Sequence, residues 1–97
     1  EVESAMVGHP AVSEAAVIAV PDDVRGEVME AFVTLCAGHS VSSDLAREIQ
    51  QWVKTRYAAH AFPRLIHFVA ELPKTPSGKV QRFVLKQRRL DEIRTAG

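Results

Sequence analysis

Cysteine is nearly absent from this sequence: Cys36 stands alone. A lone cysteine closes no intrachain disulfide, so the chain carries no disulfide framework and no mark of an oxidising compartment. Aromatics are scarce at 6%, and the stretches that read as strands lack the aromatic pattern on which RNA-binding sheets stack bases. No apolar run approaches the roughly 20 residues of a bilayer span, so no membrane partner is expected. The first residues, Glu1, Val2 and Glu3, are not the basic start of a secretory leader, and the cytoplasm is the expected compartment. Repeats and low-complexity tracts are missing as well.

What is present describes one small globular domain. Apolar residues at 46% and charged residues at 25% suffice to bury a core and argue against disorder. A length of 97 residues leaves no room for a second domain. Net charge is zero, but the charges are segregated: residues 1–50 hold nine acids and two bases (−7), residues 51–97 ten bases and three acids (+7). A basic half can face an anionic partner, and a small nucleic-acid-binding module is one alternative. The commoner meaning of a charge run is a solvated helix face.

Periodicity places the elements. Val2, Ala5 and Met6 at i, i+3, i+4 predict a short amphipathic helix over 1–7, ended by Gly8 and Pro10. A chain that opens inside a helix leads us to expect further sequence upstream. Residues 15–20, with β-branched Val17, Ile18 and Val20, predict a buried strand. Pro21-Asp22-Asp23 is turn chemistry, and 27–36 predicts a second strand. Ser42 or Ser43 is suited to cap a helix with Asp44 in its first turn. Leu45, Ile49, Trp52 and Val53 form its apolar face, out to about Tyr57. Phe62-Pro63 breaks the pattern, 65–70 predicts a third strand and 73–78 a loop. Val80, Phe83, Val84, Leu90 and Ile93 predict a last helix, the first four reading as core, with Lys86, Gln87, Arg88 and Arg89 largely on its other faces. The expected fold is α+β: a small two-layer domain, order α-β-β-α-β-α, with helices over a three-stranded sheet.

The stretch with most chemistry is Leu72-Pro73-Lys74-Thr75-Pro76-Ser77-Gly78-Lys79. Two prolines prevent regular structure across it, and Gly78 permits a φ > 0 step. Lys79 then stands between the loop and the following helix. Its ammonium is a compact charge with three donors on a long stem, suited to phosphate or carboxylate oxygens whose charge shifts during a reaction. The ordinary reading of such a lysine is solvation. A Walker-type phosphate loop is excluded, because no glycine lies in 73–77 and Val80 follows the lysine. Other sets are weaker. His9, His39, His60 and His67 are scattered, and Cys36 with His39 supplies only two of the three or four ligands a zinc site needs, so no metal site is expected. Trp52, on the apolar stripe, reads as core. No Ser/His/Asp set assembles.

Leu-Pro-Lys-Thr-Pro-Ser-Gly-Lys-Val-Gln-Arg, residues 72–82, resembles the C-terminal signature of adenylate-forming enzymes: acyl-CoA synthetases, adenylation domains of nonribosomal peptide synthetases and luciferases. Further likeness runs along the chain. Glu1-Val2-Glu3-Ser4-Ala5 with His9-Pro10-Ala11-Val12 is similar to the family's first helix after its hinge. Val20-Pro21-Asp22, Val24-Arg25-Gly26-Glu27, Ala31-Phe32-Val33, Phe62-Pro63-Arg64 and Phe68-Val69 follow in order. Arg25-Gly26-Glu27 with Gly78-Lys79-Val80-Gln81-Arg82 looks most like acetyl-CoA and medium-chain acyl-CoA synthetases.

The resemblance implies that residues 1–97 are the mobile C-terminal domain of an AMP-forming acyl-CoA synthetase, inactive alone and working against its own N-terminal domain. In such enzymes a carboxylic acid and ATP, with Mg2+ held mainly by the N-terminal domain, give an acyl-adenylate and pyrophosphate. CoA then attacks to give the thioester. By the resemblance Lys79 is the catalytic lysine of the first step only, and a target for a lysine acetyltransferase and deacetylase. Arg25, Gly26 and Lys54 fall where the family holds CoA. Away from the resemblance, Arg25 reads as a turn arginine pairing with Asp22 or Asp23, and Lys54 as a solvated helix position. Phe62 departs from the medium-chain enzymes, where tyrosine is common, so a hydroxyl contact to CoA is lost there or supplied elsewhere. A lobe that loads a carrier protein is the alternative within the superfamily.

Overall fold

The computed structural model describes residues 2–57 and 62–96. Glu1 and His60 lie outside that range. The elements run α1 (Val2–Val7), β1 (Val12–Asp22), β2 (Gly26–Leu35), α2 (Ser43–Arg56), β3 (Leu65–Phe68) and α3 (Arg82–Ala96), the expected α+β order. The sheet order is β1-β2-β3, with β1 antiparallel and β3 parallel to the central β2. A parallel neighbour cannot follow through a hairpin. The chain therefore crosses over through α2 before β3. Ser42 caps α2, its Oγ accepting the Leu45 N–H at 3.0 Å.

The sheet is covered on both faces, which corrects the two-layer expectation. On one face Met6 of α1 and Ile49 and Val53 of α2 pack on Val12, Ala15, Ala31 and Val33. On the other, Leu85 of α3 and Leu72 pack on Ala16, Ile18, Val20 and Phe32. Successive strand residues point to opposite faces, so apolar runs such as Ala15-Ala16-Val17-Ile18 are what a doubly covered strand requires.

Element ends also moved. β1 is longer than 15–20 and includes Pro21, which faces Glu27. β1 is an edge strand, where a missing N–H breaks no ladder. The reversal falls on 23–25, and Gly26 follows at φ +81°. β3 stops at Phe68 rather than 70. α3 starts at Arg82, because Val80 forms an antiparallel bridge with Lys74. With this phase Phe83 is 70% exposed and Leu85 is fully buried, against the expectation that Phe83 was core. Arg89 turns inward, one helical turn beyond Leu85. Its Nε is 2.6 Å from Glu30 Oε1, and Glu30 is itself buried on β2. An arginine takes an apolar slot because a buried carboxylate lies opposite.

Trp52 is half-buried rather than fully core. Its Nε1–H donates to the Ala5 carbonyl at 2.8 Å, joining α2 to α1, and the Arg56 guanidinium lies over its ring.

Candidate functional site

Lys79 sits on a tight hairpin built from its own neighbours. Lys74 bridges Val80, and the Gln81 N–H donates to the Pro73 carbonyl at 2.8 Å. Inside that frame the Thr75 N–H donates to the Lys79 carbonyl at 2.8 Å, and the Gly78 N–H to the Thr75 carbonyl at 2.9 Å. Thr75 Oγ1 accepts the Lys79 N–H at 3.1 Å and lies 3.0 Å from Ser77 Oγ. Gly78 closes the turn at φ +89°, a region any Cβ disfavours. Leu72, 3% exposed, roots the hairpin in the α3-side core. Lys74 Nζ pairs with Glu14 Oε2 at 2.6 Å. The backbone of Lys79 is therefore fixed at both its N–H and its carbonyl. Its side chain is exposed, and its ammonium has no acidic partner among the described residues. Sequence reading did not single out Thr75. A threonine four residues before the lysine was the available signal, since its hydroxyl can bond local backbone.

The second cluster lies beyond the other end of β1. Arg25, Glu27, Val28, Met29, Phe62 and Arg64 line a cavity of about 200 Å³. Asp22 shapes its rim by accepting the N–H groups of Val24 and Arg25 at 3.2 and 3.0 Å. The Arg25 amide bond leads the causes that hold the Asp22 carboxyl below its usual range, with the Arg64 charge contributing. The cation nearest Asp22 is Arg64, at 3.8 Å. The expected turn pairing thus uses the Arg25 backbone, and its guanidinium has no ion pair among the described residues. Lys54 of α2 approaches one wall of it, its Nζ 4.1 Å from the ring centroid of Phe62. Gln50 Nε2 donates to the carbonyls of Pro63 and Arg64 at 3.0 and 2.8 Å, pinning this wall to α2.

Of Arg25, Gly26 and Lys54, 29 residues apart at their extremes in the numbering, Arg25 lines this cavity, Gly26 lies in the chain between the lining residues Arg25 and Glu27, and Lys54 stands over the ring of Phe62, which lines it too. Arg64 joins them; the sequence reading quoted it as part of a motif without assigning it a role. The Lys79 hairpin is elsewhere. Its root is tied to Glu14, and from Glu14 to Asp22 β1 advances roughly 26 Å at about 3.3 Å per residue. Among the described residues no three His, Cys, Asp or Glu side chains gather as a metal ion needs, and no helix is long and apolar enough to cross a membrane.

Gly26 has open space where a Cβ would stand. Gly26→Ala therefore tests backbone strain alone, and about 1–2 kcal/mol of stability should be lost. Urea unfolding measures it; an unchanged midpoint contradicts the φ +81° conformation.

The chain is similar to known proteins along most of its length. Residues 1–79 match the family described as AMP-binding enzyme C-terminal domain. A 4-hydroxybutyrate–CoA ligase of Metallosphaera sedula is 50% identical over 88 residues, 91% of this chain and 16% of that protein. An acetyl-coenzyme A synthetase of Bacillus subtilis is 55% identical over 86 residues, 89% of this chain and 15% of that protein. The crystal structure of a Brucella canis acyl-CoA synthetase superposes with a TM-score of 0.92 at 54% identity, covering 94% of this chain and 17% of that one. The chain belongs to the AMP-binding enzyme C-terminal domain family. It spans about one sixth of the length of these relatives. They are CoA ligases, which favours neither the nucleic-acid module nor the carrier-protein lobe.

Proposed function

We propose that this chain is the C-terminal domain of a longer AMP-forming carboxylate–CoA ligase, that Lys79 serves its adenylation step, and that the Arg25–Lys54 cavity serves CoA. The observation that carries the reading is the hairpin, which holds the Lys79 backbone by hydrogen bonds and leaves its ammonium unpaired. Adenylation brings a carboxylate against the α-phosphate of ATP, two anions that repel. An ammonium placed between them offsets that repulsion as negative charge spreads over the pentavalent phosphorus. A fixed backbone under a free stem supplies the charge with little reorganisation. Acetylation of Lys79 would delete it.

CoA carries its own phosphates on the nucleotide end. Arg25 and Arg64 offer planar forks to phosphate oxygens, and Lys54 offers a point charge. Gly26 lets the backbone come close. Phe62 supplies a ring and no hydroxyl, so polar recognition falls to the three cations. The residues of this chain bind and orient; ATP, with its Mg2+, and the acid would sit mainly on the N-terminal domain, which also completes the reaction centre.

Two sites at opposite ends of one strand do not serve one reaction centre in one pose, so the domain would present the hairpin for adenylation and then turn the cavity towards it for thioester formation. The product test uses the complete ligase with ATP, CoA and a panel of short and medium-chain carboxylic acids. AMP and pyrophosphate should appear in equal amounts with thioester. Release of ADP and phosphate instead counts against the proposal.

A further inference from the structure

Glu3 does more than decorate the first helix. Its Oε2 accepts the Val17 N–H at 2.8 Å, on the outer edge of β1, and lies 2.7 Å from Arg82 Nε. Its Oε1 meets Arg82 Nη2, so the contact is a two-pronged fork. Burial pushes the Glu3 carboxyl up, but the bonds from Arg82 and Val17 outweigh it and hold the group below its ordinary value. One carboxylate thus joins three elements: α1, the free edge of β1 and the first residue of α3. Arg82 follows Gln81, whose N–H closes the base of the Lys79 hairpin on Pro73. From Arg82 back to Lys79 there is no slack, because Val80 is bridged to Lys74.

We infer that Glu3 and Arg82 are positioning residues, a latch that fixes the Lys79 hairpin to the first helix and so sets where the ammonium is presented. The inference rests on the adenylation role proposed for Lys79. A surface ion pair alone adds little to stability. The value of this one lies in geometry: without it the hairpin keeps its internal bonds but loses one of its ties to α1 and the β1 edge. Displacement of a charge by about 1 Å is enough to slow a reaction roughly a hundredfold.

The variants separate the latch from general folding. Glu3→Gln keeps an oxygen for the Val17 N–H and removes the charge; Arg82→Ala removes the other partner. Amide hydrogen exchange on this chain should show the Thr75, Gly78 and Gln81 amides roughly tenfold faster in each variant. The double variant should be no faster than Arg82→Ala, since the Glu3 fork is already lost in that variant. Amides of β2 should keep their protection. Hairpin amides that exchange as in the parent, or β2 amides accelerated equally, overturn the latch. In the complete ligase Glu3→Gln should lower ATP–pyrophosphate exchange about 10- to 100-fold and leave thioester formation from supplied acyl-adenylate unchanged, a split that general loss of structure does not give. If Lys79→Ala slows pyrophosphate exchange and Glu3→Gln does not, the latch is wrong; if neither slows it, the adenylation reading itself has failed.

Discussion

Lys79→Ala in the complete ligase is expected to lower acyl-adenylate formation about 100- to 1,000-fold, the cost of removing one preorganised electrostatic contact from a developing charge. Thioester formation from supplied acyl-adenylate should proceed at the parent rate. The split follows from the hairpin, in which every bond of Lys79 to its neighbours runs through its backbone. Truncating the side chain leaves the loop closed, so no structural loss should mask the chemical one. Lys79→Arg should rescue poorly, because a planar guanidinium does not reproduce a compact ammonium on a flexible stem. ATP–pyrophosphate exchange and single-turnover thioester formation read the two steps separately. Equal loss of both would remove Lys79 from the role proposed for it.

Glu30→Ala should be the most damaging change to the fold outside the apolar core, at about 3–5 kcal/mol in urea unfolding. Glu30 is 4% exposed. It accepts from Arg89 at 2.6 and 3.2 Å and lies 2.7 Å from His67 Nε2, while the His67 ring stacks on Phe32. Removing the carboxylate strands a largely buried guanidinium, whose second partner, Glu92, is exposed. Glu30→Leu with Arg89→Met should recover most of the loss, because the charges then leave together. Burial raises the Glu30 pKa, but the bonds and charges of Arg89 and His67 overcome this and bring it below the ordinary value. The hydrogen bonds that Arg89 donates to Glu30 and Glu92 raise its own pKa. The sign is that of a depressed acid. The contribution of Glu30 is complete above its unfolded pKa and is lost as pH falls through the lower folded one. Stability should therefore drop on acidification in the parent and drop less in the Leu/Met double variant. A loss below about 1 kcal/mol for Glu30→Ala would mean that water replaces the pair at little cost.

Much of this was legible in the residues. The faces of α1 and α2, the order of elements and the cap at Ser42 follow from spacing and from the chemistry of serine. The doubly covered sheet was also written in the consecutive apolar residues of β1 and β2, but a short apolar run equally fits a strand with one buried face. α3 was the hard case. Its pattern is broken by Arg89, which faces inward because of Glu30, 59 positions earlier. Local periodicity has no access to a partner so remote, so Phe83 took the slot that belongs to Leu85. Roles for Arg25 and Lys54 could be proposed only through the family likeness. Arg64 and the Glu3–Arg82 fork depend on tertiary approach, which spacing does not encode.

The central claim is that the two ends of this domain serve different half-reactions, and the most direct measurement crosses them. Arg25→Ala and Lys79→Ala are compared in the complete ligase, each scored for ATP–pyrophosphate exchange and for thioester formation from acyl-adenylate and CoA. The account predicts opposite defects: Arg25→Ala slows thioester formation and spares exchange, and Lys79→Ala does the reverse. Both variants slowing the same half-reaction would contradict it.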